Sequence, residues 1–118
     1  FQGATMTLVR AIALLVLLTA AQHQILAAQT VGEDAYRKEC KSCHGLRGVP
    51  PARARDQYKK IKAVGEDGFV TALSVDSIVT ILRNGIDKDM KSFKSKLTED
   101  QMRAAAEYIL TLAKKEGS

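Results

Sequence analysis

Tryptophan is absent, and the chain of 118 residues holds only three Tyr and three Phe. A core built on large aromatic rings is therefore excluded. No stretch keeps an apolar–polar alternation of period two for long, so no β-sheet is expected. No internal repeat is present, and the only biased segment lies near the N-terminus. No Arg-rich tract is interleaved with aromatics, and the charge is spread along the chain, which argues against a nucleic-acid partner. Cysteine is limited to two residues, Cys40 and Cys43. In a domain this small the ratio of core to surface is poor. Such domains usually rely on a staple, a metal or a cofactor.

The N-terminal quarter has little charge. Phe1-Gln2-Gly3 reads as the remnant of a cleaved purification tag and Met6 as the natural start, so residues 1–5 carry no weight. From Met6 the pattern is that of an export leader, spanning residues 6–28. Arg10 gives the positive flank, Ala11 to Ala21 the apolar run, and Ala27-Ala28 the small residues before a cut. The run is short against the roughly 20 residues that spanning a bilayer takes. Cleavage after Ala28 is the first expectation, with no stable membrane span afterwards. A retained membrane anchor is the alternative. Of the formal charge of +5, Arg10 supplies one, which leaves +4 on residues 29–118. This mild basicity suits an acidic partner surface.

The rest reads as four short helices. The first runs from Gly32 to Cys43, with Tyr36 and Cys40 on one face, and stops at His44-Gly45. Leu46 to Ala54 is a loop broken by Gly48, Pro50 and Pro51. A second helix is expected over Arg55 to Val64, and a helical turn over Phe69 to Leu73. Ser74 caps a third helix, Val75 to Arg83, whose apolar face is Val75, Ile78, Val79 and Leu82. Asn84-Gly85 stops it. A polar loop, Ile86 to Lys96, carries Met90 and Phe93. Thr98-Glu99-Asp100-Gln101 fits a capping box for the last helix. Its apolar positions are Met102, Ala105, Ala106, Ile109 and Leu112, and Lys114 and Lys115 suit the negative end of its dipole. The fold class is all-α.

Cys40-Lys41-Ser42-Cys43-His44 is the chemically specific segment. A C-x-x-C-H run reads as c-type haem attachment. Residues three apart lie on one side of a helix. Two thiols there reach the two vinyl groups on one edge of a porphyrin, and the next imidazole turns over its centre to bind iron. The competing readings are weaker. Zinc needs a fourth ligand, usually from a second Cys/His pair, and the remaining His23 lies in the leader. A thioredoxin-like pair needs βαβ surroundings. A disulfide between Cys40 and Cys43 leaves His44 without a role.

The chain resembles the class I c-type cytochromes over nearly all of residues 31–115. Gly32 and Tyr36 precede Cys40 at the family's spacing, and Gly45 follows the motif. Leu82-Arg83-Asn84-Gly85 comes next, then Met90, Phe93 at Met plus three, and Leu97 to Gln101 opening the last helix with Tyr108 inside it. The resemblance implies a cytochrome c domain over residues 29–118 with one covalently bound haem c. It implies Met90 as the second axial ligand opposite His44. A thioether is a soft ligand, and His/Met ligation raises the reduction potential. Met102, on an apolar helix face, is the rival and reads as core packing. The family often has Pro directly after the Met, where this chain has Lys91. It also uses a Pro carbonyl to accept the other ring N–H of the ligating His; Pro50 and Pro51 are the candidates, but both follow His44 closely and the choice between them, or of neither, stays open. Phe69, Leu73, Ile78, Leu82, Phe93 and Tyr108 are expected to wall the pocket. Tyr36 and Tyr108 are expected to meet where the first and last helices cross. Arg53, Arg55 and Tyr58 are candidates for the haem propionates, with solvated surface side chains as the plain alternative.

With both axial positions filled, the expected activity is one-electron transfer rather than enzymatic turnover. The expected setting is the periplasm or another exported location, with membrane attachment if the leader is retained. A free carrier is expected first. The alternative is a haem c subunit of a larger dehydrogenase, oxidase or membrane respiratory complex. Lys41, Arg47, Lys88, Lys91, Lys94 and Lys96 flank the two ligand segments. They form either a steering rim for acidic redox partners or an ordinary solvated surface.

Overall fold

The computed structural model describes residues 2–66 and 72–116. Five helical segments follow one another: α1 (Gln2–Glu39), α2 (Lys41–His44), α3 (Ala52–Gln57), α4 (Val75–Asn84) and α5 (Glu99–Glu116). Among the described residues there is no strand, only an isolated bridge between Ile86 and Met90. The all-α expectation holds, with five segments in place of four.

The largest departure is at the first helix. It does not begin at Gly32 but continues from the leader as one rod of 38 residues, about 57 Å at 1.5 Å per residue. Residues 4–31 contain neither Pro nor Gly, so nothing interrupts the ladder. Several polar side chains within them turn back onto the backbone. The Thr7, Thr19 and Thr30 hydroxyls donate to the carbonyls of Gly3, Val16 and Leu26. Ile12, Leu14, Leu15, Val16, Leu17 and Leu26 are all exposed. The stretch Met6–Glu39 is long and apolar enough to cross a membrane by length and composition, with a mean hydropathy of 1.8 in its most apolar window. An export leader meets the same description.

The C-terminal third of α1 packs on α5. Gly32 makes the crossing close: a Cβ there would stand 2.2 Å from the Ala104 carbonyl oxygen and 3.1 Å from Tyr108 Cβ. Tyr36 is fully buried, and its ring meets that of Tyr108 as expected, 5.5 Å between centroids and tilted by 54°. On α5 the expected apolar positions, Met102, Ala105, Ala106, Ile109 and Leu112, are all buried. The capping box is made in both directions. Gln101 N–H donates to Thr98 Oγ1 at 3.2 Å, and Thr98 N–H donates to Gln101 Oε1 at 2.9 Å.

α4 closes the core from the other side with Ile78, Val79 and Leu82. Its Ser74 cap accepts from Ser77 N–H at 3.1 Å. Two ion pairs fix it beside α5, Arg83 with Glu99 and Arg103 with Asp76. Both are exposed, so they align the helices more than they stabilise them.

The second helix is displaced from its expected place. It spans Ala52–Gln57, not Arg55 to Val64. Pro51, at φ −66°, is pre-set for a helix start. Tyr58 leaves helical geometry at φ −120° and ψ 89°, so the spacing of Tyr58, Ile61 and Val64 reflects turns. Residues 67–71, which include Phe69 of the expected helical turn, lie outside the described residues.

The α1–α5 crossing generates a prediction. Gly32→Ala should destabilise the protein by about 2–3 kcal/mol, because the added methyl meets backbone rather than a movable side chain. Thr30→Ala, on the exposed side of the same helix, should stay within about 0.5 kcal/mol. Urea unfolding of the two variants reads the difference.

Candidate haem-binding site

The site begins where α1 hands over to α2. Cys40 N–H still donates to the Tyr36 carbonyl at 2.9 Å, so the ladder is unbroken although Cys40 leaves ideal helical angles. The Cys40 carbonyl then accepts from Cys43 N–H at 3.2 Å and His44 N–H at 2.9 Å. This single turn puts both thiols on one side and His44 at its end, as the spacing requires. Gly45, at φ 76°, ends the turn. The Tyr36 hydroxyl donates to the Gly45 carbonyl at 2.7 Å, tying the chain after His44 to the core.

Both cysteines are free. Cys40 is buried. Burial, followed by the neighbouring Glu39 and Cys43, pushes its thiol up to about 12. A thiol held neutral in this way is unlike the low-pKa nucleophile of a dithiol oxidoreductase. Among the described residues no three of His, Cys, Asp or Glu gather as a metal-holding group, so a structural zinc site lacks its ligands there.

His44 is half-buried, and burial holds its imidazole below the usual histidine range, opposed by a hydrogen bond to Lys62. That bond runs from Nδ1–H to the Lys62 carbonyl at 3.1 Å. A carbonyl only accepts, so Nδ1 carries the proton and Nε2 keeps its lone pair. A neutral, oriented imidazole with a free Nε2 is the donor that iron requires.

The carbonyl that supports His44, left open between Pro50, Pro51 and neither, is that of Lys62. Pro51 cannot, because its carbonyl already accepts from Ala54 and Arg55 N–H at 2.9 and 3.1 Å to start α3. Two backbone contacts carry the Lys62 carbonyl to the ring instead. Ile61 N–H donates to the Tyr58 carbonyl at 3.0 Å, and Gly65 N–H to the Gly48 carbonyl at 3.0 Å. At the second contact the chains nearly touch. A Cβ on Gly65 would lie 2.0 Å from the Arg47 carbonyl oxygen, and one on Gly48 would lie 2.3 Å from Gly65 N. In the sequence Gly48 reads only as a loop breaker, and Gly65 only as the residue after the expected second helix. Their spacing gives no sign that they meet.

Met90 comes from a different element, the loop between α4 and α5. It is half-buried and packs against the same core that includes Cys40. Its N–H and carbonyl are both bonded to Ile86, at 3.1 and 2.8 Å. Met102 is buried within the core, 1% exposed. Of the expected pocket walls, Ile78 and Leu82 are buried, and Leu73, Phe93 and Tyr108 are half-buried against the core. Arg53 and Arg55 are exposed, and the Tyr58 hydroxyl accepts from Gln57 Nε2 at 3.1 Å. The six basic residues flanking the ligand segments are exposed, but Lys96 is paired with Glu39 at 3.3 Å.

The donor set therefore fits haem c. Two unbonded thiols stand one turn apart and a neutral imidazole follows them. Beside them lies apolar surface that the protein alone only half covers.

Comparison with known proteins agrees. Residues 27–109 match the family described as Cytochrome C oxidase, cbb3-type, subunit III. The solved structure of KustC0563 c-type cytochrome is 23% identical, covering 69% of this chain and 95% of its own, with a TM-score of 0.62, and shares the fold. No curated protein matches the chain. With most of its length matched and the Cys40–His44 turn formed as that family needs it, the chain belongs to the c-type cytochromes, whose haem serves electron transfer.

Proposed function

We propose that the protein is an exported one-electron carrier with a single haem c. Cys40 and Cys43 attach it through thioethers, and His44 and Met90 are its axial ligands. The carrying observation is the Nδ1–H bond from His44 to the Lys62 carbonyl, which leaves Nε2 as the free nitrogen one residue after two unbonded thiols. Held by these residues, a haem would supply one-electron ferric/ferrous chemistry with no atom transferred. The residues do the rest. If His44 and Met90 both held the iron, no position on it would be left for a substrate, which argues against enzymatic turnover. The apolar residues of α4 and α5 keep water from the ring, and fixed ligands keep reorganisation small. Met90 is flanked by Asp87, Lys88, Asp89 and Lys91, and among them it alone packs against the core.

The leader directs export, and cleavage after Ala28 frees residues 29–118 into the periplasm or its equivalent. A second reading has a specific support. The matched family is described as an oxidase subunit, and α1 carries an exposed apolar stretch long enough to span a bilayer. On that reading the leader stays as an anchor and the domain is the haem c subunit of a larger respiratory assembly.

Intact mass and a visible spectrum of the natively exported protein test the proposal together. The expected mass is residues 29–118 plus one haem, and a mass retaining residues 6–28 favours the anchored subunit. The ferric protein should show the weak far-red band of sulfur–iron charge transfer, and Met90→Ala should abolish it. A polypeptide without haem mass or Soret absorbance would sink the reading.

Partner choice follows from charge. Lys41, Arg47, Lys88, Lys91 and Lys94 are exposed and steer an acidic redox partner. The association rate should fall at least severalfold between roughly 0.01 and 0.15 M salt as the Debye length shrinks from about 30 to 8 Å. Stopped-flow reduction at varied ionic strength measures it, and a flat profile rejects steering.

Gly65→Ala should move the Lys62 carbonyl away from His44, costing about 1–3 kcal/mol of stability. The ring N–H of His44 should then exchange faster with solvent, as followed by proton NMR of the reduced protein.

A further inference from the structure

The last carbonyls of a helix have no partner within it and need one from outside. At the end of α4 three successive carbonyls are satisfied in order. Ile81 accepts from Gly85 N–H at 2.7 Å and Leu82 from Phe93 N–H at 2.8 Å. Arg83 accepts from the Ser92 hydroxyl. Two of the three donors belong to the Met90 loop, so the loop is itself the cap of α4. The helix end is also held from the far side, since the Arg83 guanidinium clamps both carboxylate oxygens of Glu99.

Met90 sits between two fastenings. Before it, the reciprocal bonds with Ile86 close a short loop, with Asp87 in the left-handed region at φ 45°. Gly85 lets this loop lie close, because a Cβ there would stand 2.4 Å from the Met90 carbonyl oxygen and 2.8 Å from Ser92 N. After it comes Lys91, exposed and able to rotate, and then Ser92. The Ser92 hydroxyl works in both directions. It donates to the Arg83 carbonyl and accepts from Lys94 N–H at 3.4 Å. Of the loop's two bonds to the end of α4, it is the one made by a side chain.

We propose that Ser92 is the positioning residue for Met90. Its hydroxyl latches residues 86–93 to the end of α4 and so holds the Met90 sulfur at a fixed place beside the core. The proposal rests on Met90 being the axial ligand. Loss of the latch frees the loop to swing and makes the sulfur easier to displace. The hydroxyl bonds the Arg83 carbonyl and Lys94 N–H rather than Met90, so its effect on the ligand passes through the loop.

The test uses the exported haem-loaded protein and four variants, Ser92→Ala, Ser92→Cys, Ser92→Thr and Met90→Ala. Added imidazole is titrated into the ferric form, where its nitrogen takes the position the sulfur leaves and no electron moves. Ser92→Ala should bind imidazole about tenfold more tightly than the parent protein, the scale of one lost hydrogen bond with its carbonyl left unpaired. Its far-red band should remain in the absence of imidazole. Ser92→Cys keeps the size and loses the strong donor, so it should move the same way and serves if Ser92→Ala does not accumulate. Ser92→Thr keeps the hydroxyl and should stay within about twofold. Parent-like imidazole affinity in Ser92→Ala and Ser92→Cys, with the band lost in Met90→Ala, overturns the latch and leaves the ligand assignment standing. A band that persists in Met90→Ala overturns the ligand assignment, and the latch with it.

Discussion

Backbone meets backbone where α1 crosses α5, with no room for even one methyl between Gly32 and the Ala104 carbonyl. The position of the site is referred to that contact. One turn beyond it, Tyr36 is buried with its ring on Tyr108. Burial keeps the phenol well above its ordinary range, so the hydroxyl stays a donor. It bonds the Gly45 carbonyl, the residue directly after His44. The crossing thus fixes Tyr36, Tyr36 fixes the end of the Cys40–His44 turn, and the turn aims the thiols and the imidazole. Shifting α1 along α5 would shift the whole donor set with it.

The core that surrounds this arrangement is made of small and aliphatic side chains, and among the described residues Tyr36 is its one buried aromatic. Val64, Leu73, Met90 and Phe93 pack on it yet remain half exposed. Burying apolar area is worth roughly 25 cal/mol per Å², so half-covered side chains of this kind gain stability only when something apolar covers them. A porphyrin face would do so. The scarcity of aromatics and the need for a cofactor are one fact in a domain this small.

What the sequence made visible and what it hid divide along physical lines. The Cys40–His44 spacing, the Thr98–Gln101 box and the Ser74 cap are side-chain chemistry at fixed offsets, and each forms as its spacing requires. The apolar period of α5 survives residue by residue. The start of the first helix was hidden because nothing in residues 4–31 stops a helix, so a leader and a domain helix merge. The helix expected over Arg55 to Val64 failed because Pro51 sets an earlier start, and three apolar residues at helical spacing do not outweigh it. The support of His44 was hidden for a different reason. It is a carbonyl, which every residue has, brought into place by a glycine contact between positions 48 and 65.

That last distinction explains how the fold tolerates divergence. The Lys62 carbonyl orients the imidazole, the Gly45 carbonyl receives Tyr36, and the Leu82 and Arg83 carbonyls receive the Met90 loop. Each acceptor is main chain, so its own side chain is free to vary provided the backbone path is kept. The path in turn depends on a few residues without bulk and a few donors with fixed reach. A solved cytochrome only 23% identical can then share the fold over 69% of this chain. The Tyr36 and Ser92 hydroxyls are instead side-chain donors to such carbonyls, so those positions constrain the residue itself. A departure at the residue after Met90, where Lys91 stands, is absorbed because the loop is fastened through Ile86 on one side and Ser92 on the other. Fastening by hydrogen bonds rather than by a rigid ring leaves the loop's hold adjustable, and with it the place at which Met90 packs against the core.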